Sequence, residues 1–375
     1  MRNTLVCTTG ASLIGTFKKY SVNRGDVKSA INLLRSLTEP LENREFGAEI
    51  NSTASLIERG YLDSLQNLYL IVSDTNDGIF VGKVLKSFFE ENPFGYEFNR
   101  VTVKVVEHLN DMDIHKFRLN GLRNLVREMA KLAKEHSDSM VINATGGYKA
   151  QIAFAVLLGQ VFKIPVFYRF EGFNHVIELL PLPVELSNEI FKNYKKVFLL
   201  LECRDVVEED EFLKFAGVRN FASLGNDVKL FIDRENIDGV RYVALNPLGE
   251  IYVEKVGKFE WEDIENCEFL ISPKNAWEKF TVSDSEEHAK KLIQKYKRII
   301  EFVLRNPLVD EVIVQGYSKN HTGNSREIKV VGKWMEFDLI TKHGTLHMKI
   351  LTKCQNERIL EIIARNLKSG LEARV

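Results

Sequence analysis

The chain has 375 residues, 45% hydrophobic and 27% charged, with four cysteines and a net charge of −1. That length suits two or three domains, the composition is globular rather than disordered, and near-neutrality excludes a protein that coats nucleic acid over its whole surface. No apolar run approaches the ~18 residues of a membrane span. The short run at the start is broken by Thr8, Thr9 and Gly10 before it could form a signal-peptide core, so a cytoplasmic protein without membrane contact is expected.

In chain order, strand-like runs at Thr4 to Thr9, Leu68 to Asp74, Val101 to Val106, Met140 to Thr145 and Pro165 to Phe170 alternate with amphipathic stretches such as Leu119 to His136. This is the pattern of an α/β domain with a parallel sheet. A hairpin is expected over Phe167 to Leu180, and Pro181 and Pro183 close the domain near residue 185. From 186 to 275 the pattern becomes two helices, Ile190 to Leu201 and Glu208 to Phe215, followed by strand-like runs VRYVAL and EIYVEK around Asn246 and Pro247. This middle α+β segment resembles a winged-helix module and equally fits an unspecialised linker domain. Its acidic run from Glu202 to Glu211 argues against contact with a phosphate backbone.

Residues 276–375 read as a third, α+β domain. Ser283 and Glu286 form a capping-box pattern before a helix whose apolar face runs from Ala289 to Val303. Strands follow at Arg326 to Val331, Trp334 to Thr341 and Leu346 to Thr352, with a last helix from Glu357 to Leu367, giving helices on a small antiparallel sheet. From Ile313 to Val375 there are eleven lysines and arginines against six acids, so positive charge gathers at the C-terminal end. Cys7, Cys203, Cys267 and Cys354 lack the spacing of a zinc site or a disulfide framework, so core or surface thiols and no bound metal are expected.

Two loops at strand ends carry the binding chemistry. Thr8-Thr9-Gly10-Ala11-Ser12 follows the first strand, and Asn143-Ala144-Thr145-Gly146-Gly147-Tyr148-Lys149 follows the fourth. Glycines there let backbone N–H groups approach an anion and hydroxyls add donors, while the dinucleotide and P-loop fingerprints are absent. Asp74, Thr75 and Asn76 border the same edge, or cap the next helix. Together with the closing segment YRFEGFNHVIELLPLPV, these loops make residues 1–185 resemble the Rossmann-like CARF domain of type III CRISPR effectors. The resemblance implies a pocket for a cyclic oligoadenylate activator, with cyclic tetra-adenylate favoured. Thr9, Gly10, Ser12, Asn143, Thr145, Gly146, Gly147 and Lys149 would line it in a two-fold homodimer.

Many such effectors carry a HEPN nuclease marked by an arginine and a histidine. The single spacing match, Arg169 and His175, falls in the sensor hairpin and is set aside. The C-terminal segments FVLRNPLVDEVIVQG, SREIKVVGKWMEFDLI and TLHMKILTKCQNER instead resemble the RelE family of ribosome-dependent mRNA interferases. That resemblance implies RNA cleavage by 2′-hydroxyl attack, on the ribosome and without a cofactor for the chemistry. Lys329 matches a family strand lysine, and Arg326, Lys353 and His321 are the further catalytic candidates; His347 could also supply an acid or base, or equally face the surface of its strand, and where the family has an arginine after the central-strand aromatic, this chain has Met335. Such a site works through cations that neutralise the phosphorane-like charge. Two rival readings stand beside it. Asp310, Glu327 and Lys329 match the D…ExK pattern of a metal-dependent nuclease, and the basic segment could belong to a non-enzymatic RNA- or ribosome-binding effector.

Overall fold

A computed structural model of the chain describes residues 1–91, 94–283, 287–319 and 325–373. The chain forms two compact units: Met1–Lys192 with Ala222–Gly257, and Asn193–Phe221 with Lys258–Val375. The interval 186–275 is thus shared between them.

The first unit is built on a six-stranded sheet. Its strands are β1 (Thr4–Thr8), β2 (Asn67–Ser73), β3 (Arg100–Val106), β4 (Met140–Asn143), β5 (Val166–Tyr168) and β6 (Ile177–Leu179), in the order β3-β2-β1-β4-β5-β6. All neighbours are parallel except β5 and β6, the expected hairpin. Strand β1 is buried at every position, because both faces of the sheet are covered. Leu5 and Cys7 face a core shared with α1 (Ser12–Lys19), α2 (Val27–Ser36), α3 (Gly47–Glu58) and α4 (Asn76–Glu90). Val6 faces the other core, shared with α5 (Leu122–His136) and α6 (Lys149–Phe162).

The later segment of this unit departs from the expected pattern. Its hairpin is β7 (Ile232–Ile237) with β8 (Val240–Leu245), turning at Asp238 and Gly239, both at positive φ. The run EIYVEK, expected as a strand, lies in the helix Pro247–Val256. Asn246 caps that helix by accepting from Gly249 N at 2.8 Å, and Pro247 sits in its first turn, where the missing N–H costs nothing. Its Glu250 is fully buried and accepts from Arg123 Nε at 2.7 Å and Arg127 Nε at 3.0 Å, both on α5.

The second unit holds a five-stranded mixed sheet where a three-stranded antiparallel one was expected. Strands β9 (Phe280–Val282), β10 (Val309–Ser318), β11 (Ser325–Val331), β12 (Trp334–Thr341) and β13 (Gly344–Thr352) lie in the order β9-β10-β13-β12-β11, with only β9 and β10 parallel. The helix expected up to Val303 is two helices, Glu287–Lys295 and Lys297–Arg305; of the capping-box pair, Glu286 lies outside the described residues. Met335, Phe337, Leu339, Leu346, Met348 and Ile350 are buried on one sheet face, where the helix Glu357–Glu372 packs. The cysteine expectation is corrected here: Cys203 and Cys354 form a disulfide, and Cys7 and Cys267 are buried free thiols. Sequence spacing could not show the pair, since 151 residues separate the two.

Candidate functional site

In the first unit the connection after β1 leads to β2 on one side, and β4 lies on the other, so the direction of winding reverses between β1 and β4. Side chains and backbone diverge at such a point and leave a crevice beyond the carboxyl ends of the strands. A cavity of about 520 Å³ lies there, lined among others by Thr9, Gly10, Thr75, Gly147, Tyr148 and Gln151. The loops approach closely: a Cβ on Gly10 would stand 2.7 Å from Gly147 N, and Gly147 itself has φ of +100°.

Tyr148 and Gln151 open α6. Gln151 is fully buried; its Oε1 accepts from Tyr148 N at 2.6 Å, while its Nε2 has no hydrogen-bond partner among the described residues. A buried amide donor left unpaired costs about 1–3 kcal/mol unless something else accepts from it. Burial pushes the Tyr148 phenol above its usual range, the Asp111 carboxylate adds to this, and a hydrogen bond with Ser73 acts against it. The phenol therefore remains a donor at neutral pH. Thr75 both lines the cavity and caps α4 through Gly78 N at 3.0 Å, so the two alternatives for that segment coexist. Asp74 accepts from His108 N at 3.2 Å.

The candidate ligand residues divide into two groups. Thr9, Gly10 and Gly147 line the cavity. The others, Lys149 apart, are engaged within the protein, and a residue that sequence reasoning missed, Glu49 of α3, explains part of this. Its buried carboxylate accepts from Gly10 N at 2.7 Å and Ser12 Oγ at 2.8 Å, and a Cβ on Gly146 would lie 2.1 Å from its Oε1. Asn143 donates to Ser52 Oγ at 2.8 Å, and Thr145 donates to Asn143 Oδ1 at 2.7 Å. Lys149 is exposed at the first position of α6. A lone glutamate in a helix carries no motif, so nothing in the sequence pointed to Glu49.

At the next strand end Arg169 is buried. It donates from Nε to Phe173 O at 2.8 Å and from Nη2 to Leu41 O at 2.7 Å, while Nη1 has no partner among the described residues. Burial, and then the nearby Arg44, hold its pKa below the usual arginine value. His175 stacks on Phe173.

In the second unit the catalytic candidates are dispersed. Lys329 is exposed and 3.3 Å from Glu327 Oε2. Arg326, on the opposite face of β11, donates to Leu371 O of the last helix. Lys353 donates to Ile271 O at 2.7 Å. Arg326 aligns through Leu339 with Leu346, and Lys353 lies seven residues further along that strand direction, about 23 Å along the strand. His321 lies outside the described residues. The D…ExK triplet does not assemble either: Asp310 begins β10 and accepts from Ser272 Oγ at 2.7 Å, whereas Glu327 lies on β11, three strand spacings or about 14 Å across the sheet.

An open, mainly parallel sheet with a ligand-sized cavity at its switch point defines the first unit as a Rossmann-like α/β unit, followed by mixed and antiparallel sheets. Residues 44–183 match the family described as CRISPR-associated protein (Cas_APE2256), a CARF-type family. No curated protein matches the chain. Among solved structures, the crystal structure of protein VC1899 from Vibrio cholerae is similar at 11% identity, with a TM-score of 0.26, over 94% of this chain and 77% of that one. A likeness that loose carries no argument. Among the described residues, no helix is long and apolar enough to cross a membrane.

Proposed function

We propose that the first unit binds a cyclic oligoadenylate, with cyclic tetra-adenylate favoured, in a homodimer, and that the ring activates RNA cleavage by the second unit. The observation that carries the sensor reading is the switch-point cavity, with Gly10, Gly147 and the buried Gln151 in its lining; the Gln151 Nε2 has no hydrogen-bond partner among the described residues. A phosphate or base acceptor would satisfy it, next to the N-terminus of α6, where the helix dipole favours negative charge. The match of residues 44–183 to a CRISPR-associated family supports the nucleotide class of ligand. The output reading, a RelE-like ribonuclease acting by 2′-hydroxyl attack on ribosome-bound mRNA, rests on the likeness of the C-terminal segments and on the lysines of the exposed sheet face.

Calorimetry with cyclic tetra- and hexa-adenylate tests the sensor, with one ring expected per two chains. Gln151→Glu keeps the acceptor that Tyr148 N uses and replaces the free donor with an acceptor. Loss of a hydrogen bond to a charged oxygen should weaken binding roughly tenfold or more. Absence of heat with either ring, or RNA cleavage at the same rate without a ring, would refute the proposal.

A further inference from the structure

The exposed face of the C-terminal sheet carries a relay of three side chains that no sequence motif announces. Asp338 Oδ1 lies 2.7 Å from His347 Nδ1, and His347 Nε2 lies 3.0 Å from Ser318 Oγ. Asp338 and His347 are directly opposed on β12 and β13, so the strand register dictates their meeting. A slip of one residue would send either side chain into the core. The His347 side chain is 41% exposed, open to a substrate.

The next row along the same face is Lys329, Glu336 and Lys349, directly opposite one another on β11, β12 and β13. Lys349 Nζ lies 3.7 Å from the centroid of the Trp334 ring, in the row beyond. The backbone rows that carry the imidazole, the lysine and the indole follow one another at about 7 Å along the strands, with the lysine ammonium drawn over the indole. A general base needs a fixed tautomer and an accessible nitrogen. Asp338 accepting from Nδ1–H supplies the first, and Nε2, which accepts from a serine hydroxyl, supplies the second.

We propose that His347 is the general base of RNA cleavage in this unit, with Asp338 positioning it, Lys349 facing the scissile phosphate and Trp334 stacking a neighbouring base. The proposal rests on the ribonuclease reading above. In the step, a substrate 2′-hydroxyl replaces the Ser318 hydroxyl at Nε2 and gives up its proton there. Its oxygen forms a bond to the adjacent phosphorus, the bond from phosphorus to the 5′-oxygen breaks, the leaving oxygen takes a proton from water, and the hydroxide so formed takes the proton back from the His347 imidazolium. The products are a 2′,3′-cyclic phosphate and a 5′-hydroxyl, with no oxidant, reductant or metal consumed.

The test uses the full chain with cyclic tetra-adenylate, and RNA with and without ribosomes. His347→Ala should lower the cleavage rate at saturating RNA at least hundredfold, in the range measured for general acid–base groups, with ring binding unchanged and cleavage partly restored by added imidazole. Asp338→Asn should lower kcat with little change in KM, and Asp338→Glu should recover part of the loss. Wild-type cleavage with His347→Ala equally fast would overturn this assignment and leave the ribonuclease reading standing. Loss of cleavage on Ser318→Ala, together with labelling of Ser318 by a fluorophosphonate, would overturn it in favour of a serine nucleophile. A wild-type chain that binds the ring but cleaves no RNA under either condition would refute the ribonuclease reading itself, and this inference with it.

Discussion

Glu250 offers the sharpest test of how the first unit is held together. It is fully buried on the helix Pro247–Val256 and accepts from Arg123, itself 1% exposed, and from Arg127. Glu250→Gln keeps the shape but removes the negative charge that both guanidinium groups face. Breaking a buried pair in this way costs about 3–5 kcal/mol, because a charge is left in a low-dielectric interior. For a unit of this size each kcal/mol lowers Tm by about 2–4 °C, so the fall should be roughly 6–20 °C. Calorimetric melting of the full chain reads it. The combined variant Arg123→Met with Glu250→Leu should recover much of the loss, since a matched apolar replacement avoids the orphaned charge. A fall below about 2 °C for Glu250→Gln, or a combined variant no better than the single one, would show that the cluster is not a coupled ion pair.

Two further perturbations probe other parts of the chain. Gly147→Ala should weaken cyclic-nucleotide binding and lower Tm, because the residue has φ of +100° and an added Cβ would stand 2.4 Å from Gln151 Oε1; unchanged binding by calorimetry would remove the loop from the site. Asp310 bears on acid stability. Burial raises its pKa, but hydrogen bonds from Ser272 and Lys274 and the charges of Lys274 and Lys353 outweigh this, so it lies below the usual aspartate value. Its contribution is then fully present above about pH 4 and is lost as pH falls through the depressed value. Asp310→Asn should lower Tm at pH 7 and flatten its decline below pH 4, whereas parallel melting curves for the two proteins would contradict the assignment.

The parallel sheet was legible because its strands are buried on both faces and so stand out as continuous apolar runs between amphipathic helices. β7 was not, because its residues Asp233, Arg234, Glu235 and Asn236 are polar and the strand pairs only with β8. Its signal was the Asp238-Gly239 turn. The run EIYVEK was misread because an apolar triplet fits a strand as well as a helix, and the deciding evidence was the Asn-Pro cap in front of it. Glycine loops marked the place of the cavity. They did not reveal that Gly10 and Ser12 are occupied by Glu49, because that contact joins elements 37 to 39 residues apart. The relay of Ser318, Asp338 and His347 was hidden for a related reason: it exists only once the register of three strands is known. His347 read as a candidate acid or base, and equally, between Leu346 and Met348, as a surface-facing strand residue; the sequence offered nothing to decide between the two.

The division of the chain also bears on how such proteins can be taken apart. The backbone passes from one compact unit to the other at residues 192 to 193, 221 to 222 and 257 to 258. Domains joined end to end can be separated with a single cut in a linker. Here no single cut yields the two halves each whole and free of the other. A sensor expressed as residues 1–192 would lack the helix whose Glu250 neutralises Arg123, and an output module begun at residue 258 would lack Cys203, the disulfide partner of Cys354. Recombination that swaps one half for another must therefore exchange two segments together, which makes this pair of units harder to shuffle than a tandem fusion.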